Sequence, residues 1–208
     1  MPVIFVGGCG GSGIEPLPVP KFGDDTAASN PSPPSDPPTG TFSVDPPPEK
    51  YTIAALKACQ EIQREVPELP TFLGAQDIGG SDRYWFLRSC AFSNDGDSDP
   101  FIGLKFELWE NNLYPVGYLG GTDRAKEKYD AIVASGEEDG AEPAAGLNAA
   151  WVNPEDVVDG CELSILDGNA VLTVNYDPSD GGVDPRSEGC REGAREFARK
   201  FYSAVQPQ

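Results

Sequence analysis

The 208-residue chain contains no histidine, and this absence removes several kinds of catalytic site. A Ser–His–Asp or Cys–His system would have no base. His-ligated zinc and the usual proton shuttle near neutral pH are excluded as well. Carboxylate, lysine or tyrosine chemistry stays open, so an enzyme is less expected without being ruled out.

Basic residues are also scarce. The chain has 15 Lys and Arg against 34 Asp and Glu, a formal net charge of −19. Such a surface repels phosphate backbones, so we expect no nucleic-acid partner, and the same repulsion disfavours an anionic membrane surface. The excess of acid is explained most simply as a solubility device of an exported protein. A cationic partner or a metal ion is the alternative.

Long apolar runs are missing too, since no stretch approaches the about 18 residues that cross a bilayer as a helix. The amino terminus has a short apolar run that ends in Val6, Gly7 and Gly8 immediately before Cys9. This pattern resembles the bacterial lipobox, in which the Cys thiol carries a diacylglyceryl group. A complete signal peptide has Lys or Arg before its apolar run. None precedes Cys9 here, so we expect the signal to begin upstream of Met1. The alternative is a Gly-rich terminus with an incidental Cys.

A proline-rich segment follows Cys9. Eleven of the 21 prolines fall between Pro16 and Pro48, among Ser, Gly, Asp and Thr. Such a composition buries too little apolar surface to fold and favours extended polyproline II. We therefore predict three parts: a truncated signal with its lipobox (1–9), a disordered stalk (10–48) and one folded domain (49–208).

The domain alternates helical and strand patterns. We predict helices over 52–66, 122–135 and 188–205, with Thr52 and Thr122 as N-caps of the first two. Strands are predicted over 83–92, 101–109 and 149–152, and a hairpin over 161–176 turns at Asp167-Gly168-Asn169. Residues 137–142 are predicted to form an acidic loop. The order α-β-β-α-β-β-β-α predicts an α+β fold, an antiparallel sheet with helices packed on one face.

Four cysteines remain when Cys9 is set aside for lipid, namely Cys59, Cys90, Cys161 and Cys190. An even number in an exported chain indicates disulfides. Of three possible connectivities we favour Cys59–Cys90 and Cys161–Cys190, which each tie a helix to a strand. A zinc site with four cysteine ligands is the alternative, but the chain has no CxxC pair.

These features together resemble a large group of small actinobacterial secreted lipoproteins of unknown function. The resemblance rests on the lipobox Cys, the stalk, the Cys-bearing first helix and next strand, the 160–166 segment and the closing helix. The architecture is similar to the extracellular sensor domains of mycobacterial Ser/Thr kinases, which are two-disulfide α/β folds. The resemblance implies a fold and a location outside the membrane. It supplies no catalytic residues that could be assigned to this chain.

Candidate sites are few. Asp95, Asp97 and Asp99 begin like a calcium loop, but Pro100 and Phe106 stand where Gly and Glu are needed. Asp177, Asp180 and Asp184 are explained by turn formation. The tryptophans Trp85, Trp109 and Trp151 are candidates for an aromatic binding groove, although core packing is the simpler interpretation. We predict no catalytic residue, metal or cofactor.

Three functions compete. The first is a membrane-anchored, extracytoplasmic binding or sensing module for a wall glycan, a lipid or another exported protein. The second is a carboxylate-dependent wall hydrolase, which requires two acids with pKa values pushed apart. The third is a structural wall-associated protein without a pocket.

The lipobox can be tested directly. When the gene is expressed with its upstream signal in an actinobacterium, the protein should take up radioactive fatty acid and partition into detergent. The Cys9→Ala variant should do neither, because it lacks the thiol that carries the lipid. An unlabelled wild-type protein would contradict the prediction.

Overall fold

The computed structural model describes residues 48–79, 84–94, 100–114, 117–140, 146–157, 159–178 and 183–207. Cys9 and the predicted stalk lie outside them. The helices and strands follow one another in this order: α1 (Cys59–Glu65), β1 (Phe72–Gly79), β2 (Trp85–Phe92), β3 (Phe101–Trp109), β4 (Asn112–Tyr114), β5 (Gly117–Leu119), α2 (Gly121–Ser135), β6 (Glu137–Glu138), β7 (Asn148–Trp151), β8 (Cys161–Asp167), β9 (Ala170–Asp177) and α3 (Glu188–Val205).

Seven of these strands form one sheet in the order β1-β2-β3-β9-β8-β7-β6, and β4 pairs with β5 separately. Every pairing in the sheet is antiparallel. The predicted α+β class and antiparallel sheet are therefore confirmed. The predicted strand over 101–109 and the last helix over 188–205 have the bounds that their periodicity indicated.

The first face of the sheet carries α1 and α3. The even-numbered residues of β3 and β9 point into this layer, where Leu104 and Val174 are fully buried with Phe201 of α3. The rings of Phe92 and Phe201 lie with their centroids 5.9 Å apart. This continuous apolar layer is the main core of the domain.

Both disulfides attach this helical layer to the sheet. Cys59, the first residue of α1, is joined to Cys90 of β2, with a Cα–Cα distance of 5.6 Å. Cys161, the first residue of β8, is joined to Cys190 of α3 at 6.1 Å. The pairing favoured from the sequence is confirmed.

The helix α2 lies on the opposite face, so the expectation that all helices pack on one face is corrected. Ala125 and Tyr129 of α2 form a second apolar cluster with Trp109 and Val171. The residue after Val171 in β9 points into the first core, and neighbouring residues of a strand point to opposite faces. At the end of the sheet that contains Trp109 and Val171, the strands are apolar on both faces. Helices therefore pack on both faces there.

The first predicted helix, over 52–66, is divided in two. A single 3-10 turn, Ile53–Ala55, is followed by extended chain, and α1 begins only at Cys59. The Glu61 carboxylate accepts a hydrogen bond from the Ala58 N–H at 2.8 Å and starts the helix there. Thr52 makes no side-chain cap.

The division is imposed by Arg88 of β2. Its guanidinium donates to the main-chain carbonyls of Leu56 at 3.1 Å and Lys57 at 2.8 Å. The other side of the guanidinium binds both oxygens of Asp77, at 2.9 and 2.7 Å, and lowers the pKa of that carboxyl. A side chain from the sheet thus takes the carbonyls that a continuous helix would have used.

Four strands were not predicted from the sequence. The longest, β1, pairs with β2 through a register shift between Phe72 and Gly74. Its two glycines and one aspartate give it little intrinsic strand propensity, so its pairing with β2 makes it a strand. The short strands β4, β5 and β6 contain two or three residues each. The described residues form no helix long and apolar enough to cross a membrane.

A buried asparagine closes the fold at the β8–β9 turn. The turn consists of Gly168, whose φ is +59°, and Asn169, which is fully buried. The Asn169 side chain accepts from the Tyr51 N–H at 3.0 Å and donates to the Tyr51 and Trp109 carbonyls at 2.9 and 2.8 Å. One side chain therefore joins the start of the domain, the end of β3 and the hairpin.

Removing this side chain should be costly. Asn169→Gly keeps a residue suited to the turn but leaves three buried main-chain groups without partners, each worth about 1–3 kcal/mol. We expect the free energy of unfolding, measured by urea denaturation of the oxidised protein, to fall by at least about 3 kcal/mol. Asn153→Ala, which removes the single capping bond of Asn153 to the Glu155 N–H, should cost about 1 kcal/mol or less. Equal losses for the two variants would contradict the role given to Asn169.

Candidate functional site

The second face of the sheet is only half covered, and its open half carries a groove. The helix α2 lies over the end that contains Trp109 and Val171. Beyond it a depression of about 760 Å³ crosses the strands from β1 to β8. The lining side chains come from five strands and from the segment before β8. The volume is in the range of ligand pockets.

Small residues form the floor of this groove. Gly74 of β1, Ala91 of β2 and Gly103 of β3 are direct cross-strand neighbours, and Asn175 of β9 comes next. A Cβ on Gly103 would lie 3.2 Å from the Asn175 Cβ and 3.5 Å from the Phe101 ring. The depression therefore exists because two of these residues are glycines and the third is alanine. Phe101 lies at its margin.

One polar network organises the β8–β9 side of the groove. The Lys105 ammonium donates to the Glu162 carboxylate at 3.1 Å, and the Asn175 amide donates to the same oxygen at 3.3 Å. Asn175 also donates to the Asp159 carbonyl at 3.1 Å, which fixes the segment entering β8. The ammonium in the groove is thus engaged by a carboxylate of the groove.

Among the charged side chains of the lining, the acidic ones predominate. Four carboxylates, from Asp156, Asp159, Glu162 and Asp177, accompany the single ammonium of Lys105. The formal charge of the lining is therefore −3 (four negative, one positive). Among the residues that the structure describes, no three such groups converge closely enough to hold a metal ion.

The tryptophan candidates do not form one surface. Trp85 and Trp109 are cross-strand neighbours in the cluster under α2. Trp151 lies in the main core on the other face, where the Arg191 and Arg195 guanidinium carbons are 4.9 and 5.4 Å from its ring centroid. None of the three lines the groove.

The segment 137–142, which we expected to be a solvated acidic loop, contains a buried ion pair. The Asp139 side chain is 3% exposed, and both its oxygens accept from Arg195, at 3.0 Å each. This pairing raises the pKa of Arg195. Glu137 pairs with Arg191 at 2.8 Å, which lowers the pKa of Glu137. These acids bind α3 to β6 rather than forming a site.

A third polar cluster lies at the β8–β9 turn. The Asp167 carboxylate accepts from the Lys50 ammonium and from the Tyr51 hydroxyl, and Gln206 donates to the same hydroxyl at 2.9 Å. Burial is the main cause that raises the pKa of Tyr51, and the bond to Asp167 adds to it. The cluster ties both ends of the domain to the hairpin, and none of its residues lines the groove on the open half of the sheet.

The calcium-like residues Asp95, Asp97 and Asp99 lie outside the described residues, as does Asp180. Asp177 lines the groove, and Asp184 accepts from the Arg186 N–H as a turn residue does. The sequence carried one signal of the groove. The alternation in β3 placed Gly103 and Lys105 on the face away from the core, but their partners Gly74 and Asn175 could be found only from the strand register.

Comparisons of the chain with protein-family models, with curated proteins and with solved structures gave no significant match. The site must therefore be interpreted from its own geometry.

The open floor predicts tolerance to a large side chain. Ala91→Trp should change the free energy of unfolding by no more than about 0.5 kcal/mol, because the ring can lie across the neighbouring glycines. Leu104→Trp, on the buried face of the adjacent strand, should cost about 1–3 kcal/mol through overpacking. Urea denaturation of both variants checks this. A large loss for Ala91→Trp would mean that the groove is filled.

Proposed function

We propose that this chain is a membrane-anchored, extracytoplasmic binding module and that the groove on the open half of the sheet is its ligand site. The observation that carries the proposal is the groove itself. Its floor of Gly74, Ala91 and Gly103 leaves about 760 Å³ free of side chains on the open half of the sheet. A purely structural wall protein has no need of such a depression.

The open shape and the charged margin of the groove favour an extended, charged ligand over a lipid. Acyl chains bind in cavities with closed apolar walls. Here the groove opens along the sheet and is bordered by Lys105, Glu162 and Asn175, which hydrogen-bond with one another. Gln76 and Ser89 add further hydrogen-bonding groups. A peptide or a glycan can use such groups along its length.

The contacts of Glu162 support a role for this residue in binding rather than in acid–base hydrolysis. An acid–base pair requires two carboxylates free to exchange protons with a substrate. One Glu162 oxygen, Oε1, already accepts from both Lys105 and Asn175. Those contacts hold the Glu162 side chain in one position, which suits recognition.

The anchor proposed from the lipobox complements this site. Cys9 and the first described residue, Pro48, are 39 positions apart in the sequence (48 minus 9). If extended as polyproline II at about 3.1 Å per residue, such a segment spans roughly 120 Å. Lipid at Cys9 would hold the module at the membrane while the groove reaches ligands in the wall. The two disulfides are typical of proteins that function outside the cytoplasm.

The proposal is tested with the filled-groove variant. The 208-residue chain is immobilised, and its binding to three envelope fractions (glycan fragments, lipid vesicles and exported proteins) is measured by biolayer interferometry. We expect saturable binding of the glycan or protein fraction, abolished by Ala91→Trp because the ring occupies the floor.

The matched control is Gly79→Trp, at the end of β1, where a side chain meets nothing within 4 Å and which does not line the groove. It should bind as the wild type does. Binding that survives Ala91→Trp, or turnover of glycosidase, esterase, peptidase or phosphatase substrates, would contradict the proposal.

A further inference from the structure

We infer that the ligand of this groove is an extended polypeptide segment that carries lysine or arginine side chains. The inference rests on the proposed function, because it names the class of ligand for the same groove. It follows from the charge, the surface chemistry and the length of the groove.

The charge of the lining selects a cation. Asp156, Asp159 and Asp177 make no ion pair with any described residue, and the single ammonium, that of Lys105, is held by Glu162. The remaining field is negative, and the chain as a whole carries −19. Phosphate-bearing polymers and anionic headgroups are repelled, whereas ammonium and guanidinium groups are attracted.

The arrangement of charged and apolar surface fits long basic side chains. The Phe101 ring is 38% exposed at the margin of the groove, and the floor beside it is glycine and alanine. Asp156 and Asp159 lie on the β8 side of the groove. Lys and Arg bury their methylene stems on apolar surface while their heads stay near polar groups. A basic head over an exposed aromatic ring is also favourable.

The length of the groove indicates several residues rather than a single amine. From β1 to β8 the groove crosses four inter-strand spacings, about 19 Å at 4.8 Å each. This is the length of about six residues of extended chain. Gln76 and Ser89 offer side-chain hydrogen bonds along this path to the main chain of a peptide. The carboxylates are spread along the groove and form no group of three that could hold a metal ion among the described residues.

The experiment uses two labelled hexapeptides, (Lys-Gly)3 and (Glu-Gly)3, and fluorescence anisotropy with the full 208-residue chain. Wild-type protein should bind (Lys-Gly)3 saturably and leave (Glu-Gly)3 unbound. Since a chain of charge −19 attracts any polycation, the local contribution is separated by two charge-matched variants. The groove variant is Asp156→Asn/Asp159→Asn/Asp177→Asn, and the control is Glu68→Gln/Asp123→Asn/Glu127→Gln, which removes three exposed acids outside the groove.

The groove variant should bind (Lys-Gly)3 about tenfold more weakly, since each exposed charge contact contributes a few-fold. The control should stay within about twofold of the wild type, because distant exposed charges are screened. Ala91→Trp should abolish binding of the peptide. Thermal melting of each variant confirms that it is folded, and the comparison of the two peptides on wild-type protein does not depend on the variants.

Each contrary result has a distinct meaning. Equal weakening in both triple variants would show attraction by net charge and overturn the inference. Spermine or glucosamine oligomers that bind as tightly as (Lys-Gly)3 would overturn the choice of a polypeptide. If (Lys-Gly)3 does not bind but Ala91→Trp still abolishes binding of an envelope fraction, the inference fails and the proposed function stands. If Ala91→Trp affects neither, both fail.

Discussion

The attachment of α1 and α3 to one face of the sheet is the constraint on which the rest of the structure depends. Cys59–Cys90 fixes the start of α1 on β2, and Cys161–Cys190 fixes α3 on β8. Each link closes a loop of about 30 residues, which in the chain-entropy model stabilises the fold by about 3–4 kcal/mol. The opposite face is left to α2, whose 15 residues span about 22 Å. A helix of that length covers one end of the sheet, and the groove is the part that it leaves open.

The features that the sequence predicted well are those with local causes. Three such features are the apolar alternation of β3, the Gly168–Asn169 turn and the amphipathic pattern of α3. Each is contained within one continuous segment of at most 18 residues. The disulfide pairing could also be predicted from the sequence, because each bond joins a predicted helix to a predicted strand about 30 residues away. In all these cases short-range propensity agrees with the tertiary fold.

The features that were missed depend on partners distant in sequence. Arg88 divides the first helix by binding carbonyls 31 and 32 positions away, and Asp139 is buried only because Arg195 meets it 56 positions later. The face chosen by α2 follows from which side of the sheet α1 and α3 already occupy. The groove needed both the strand register and the position of α2. For this reason Asp177, one of the groove acids, was interpreted from the sequence as a turn residue, and the other three were not singled out.

The most direct test of the groove as the ligand site is hydrogen–deuterium exchange of the full chain, with and without a saturating amount of the exported-protein fraction. If the groove is the ligand site, exchange should slow in the strand segments that form its floor, in β2 and β3, and in residues 156–162 beside them. The helices α1 and α3 should exchange at unchanged rates, because they lie on the other face. Protection confined to α1 and α3, with none in the floor of the groove, would contradict the account.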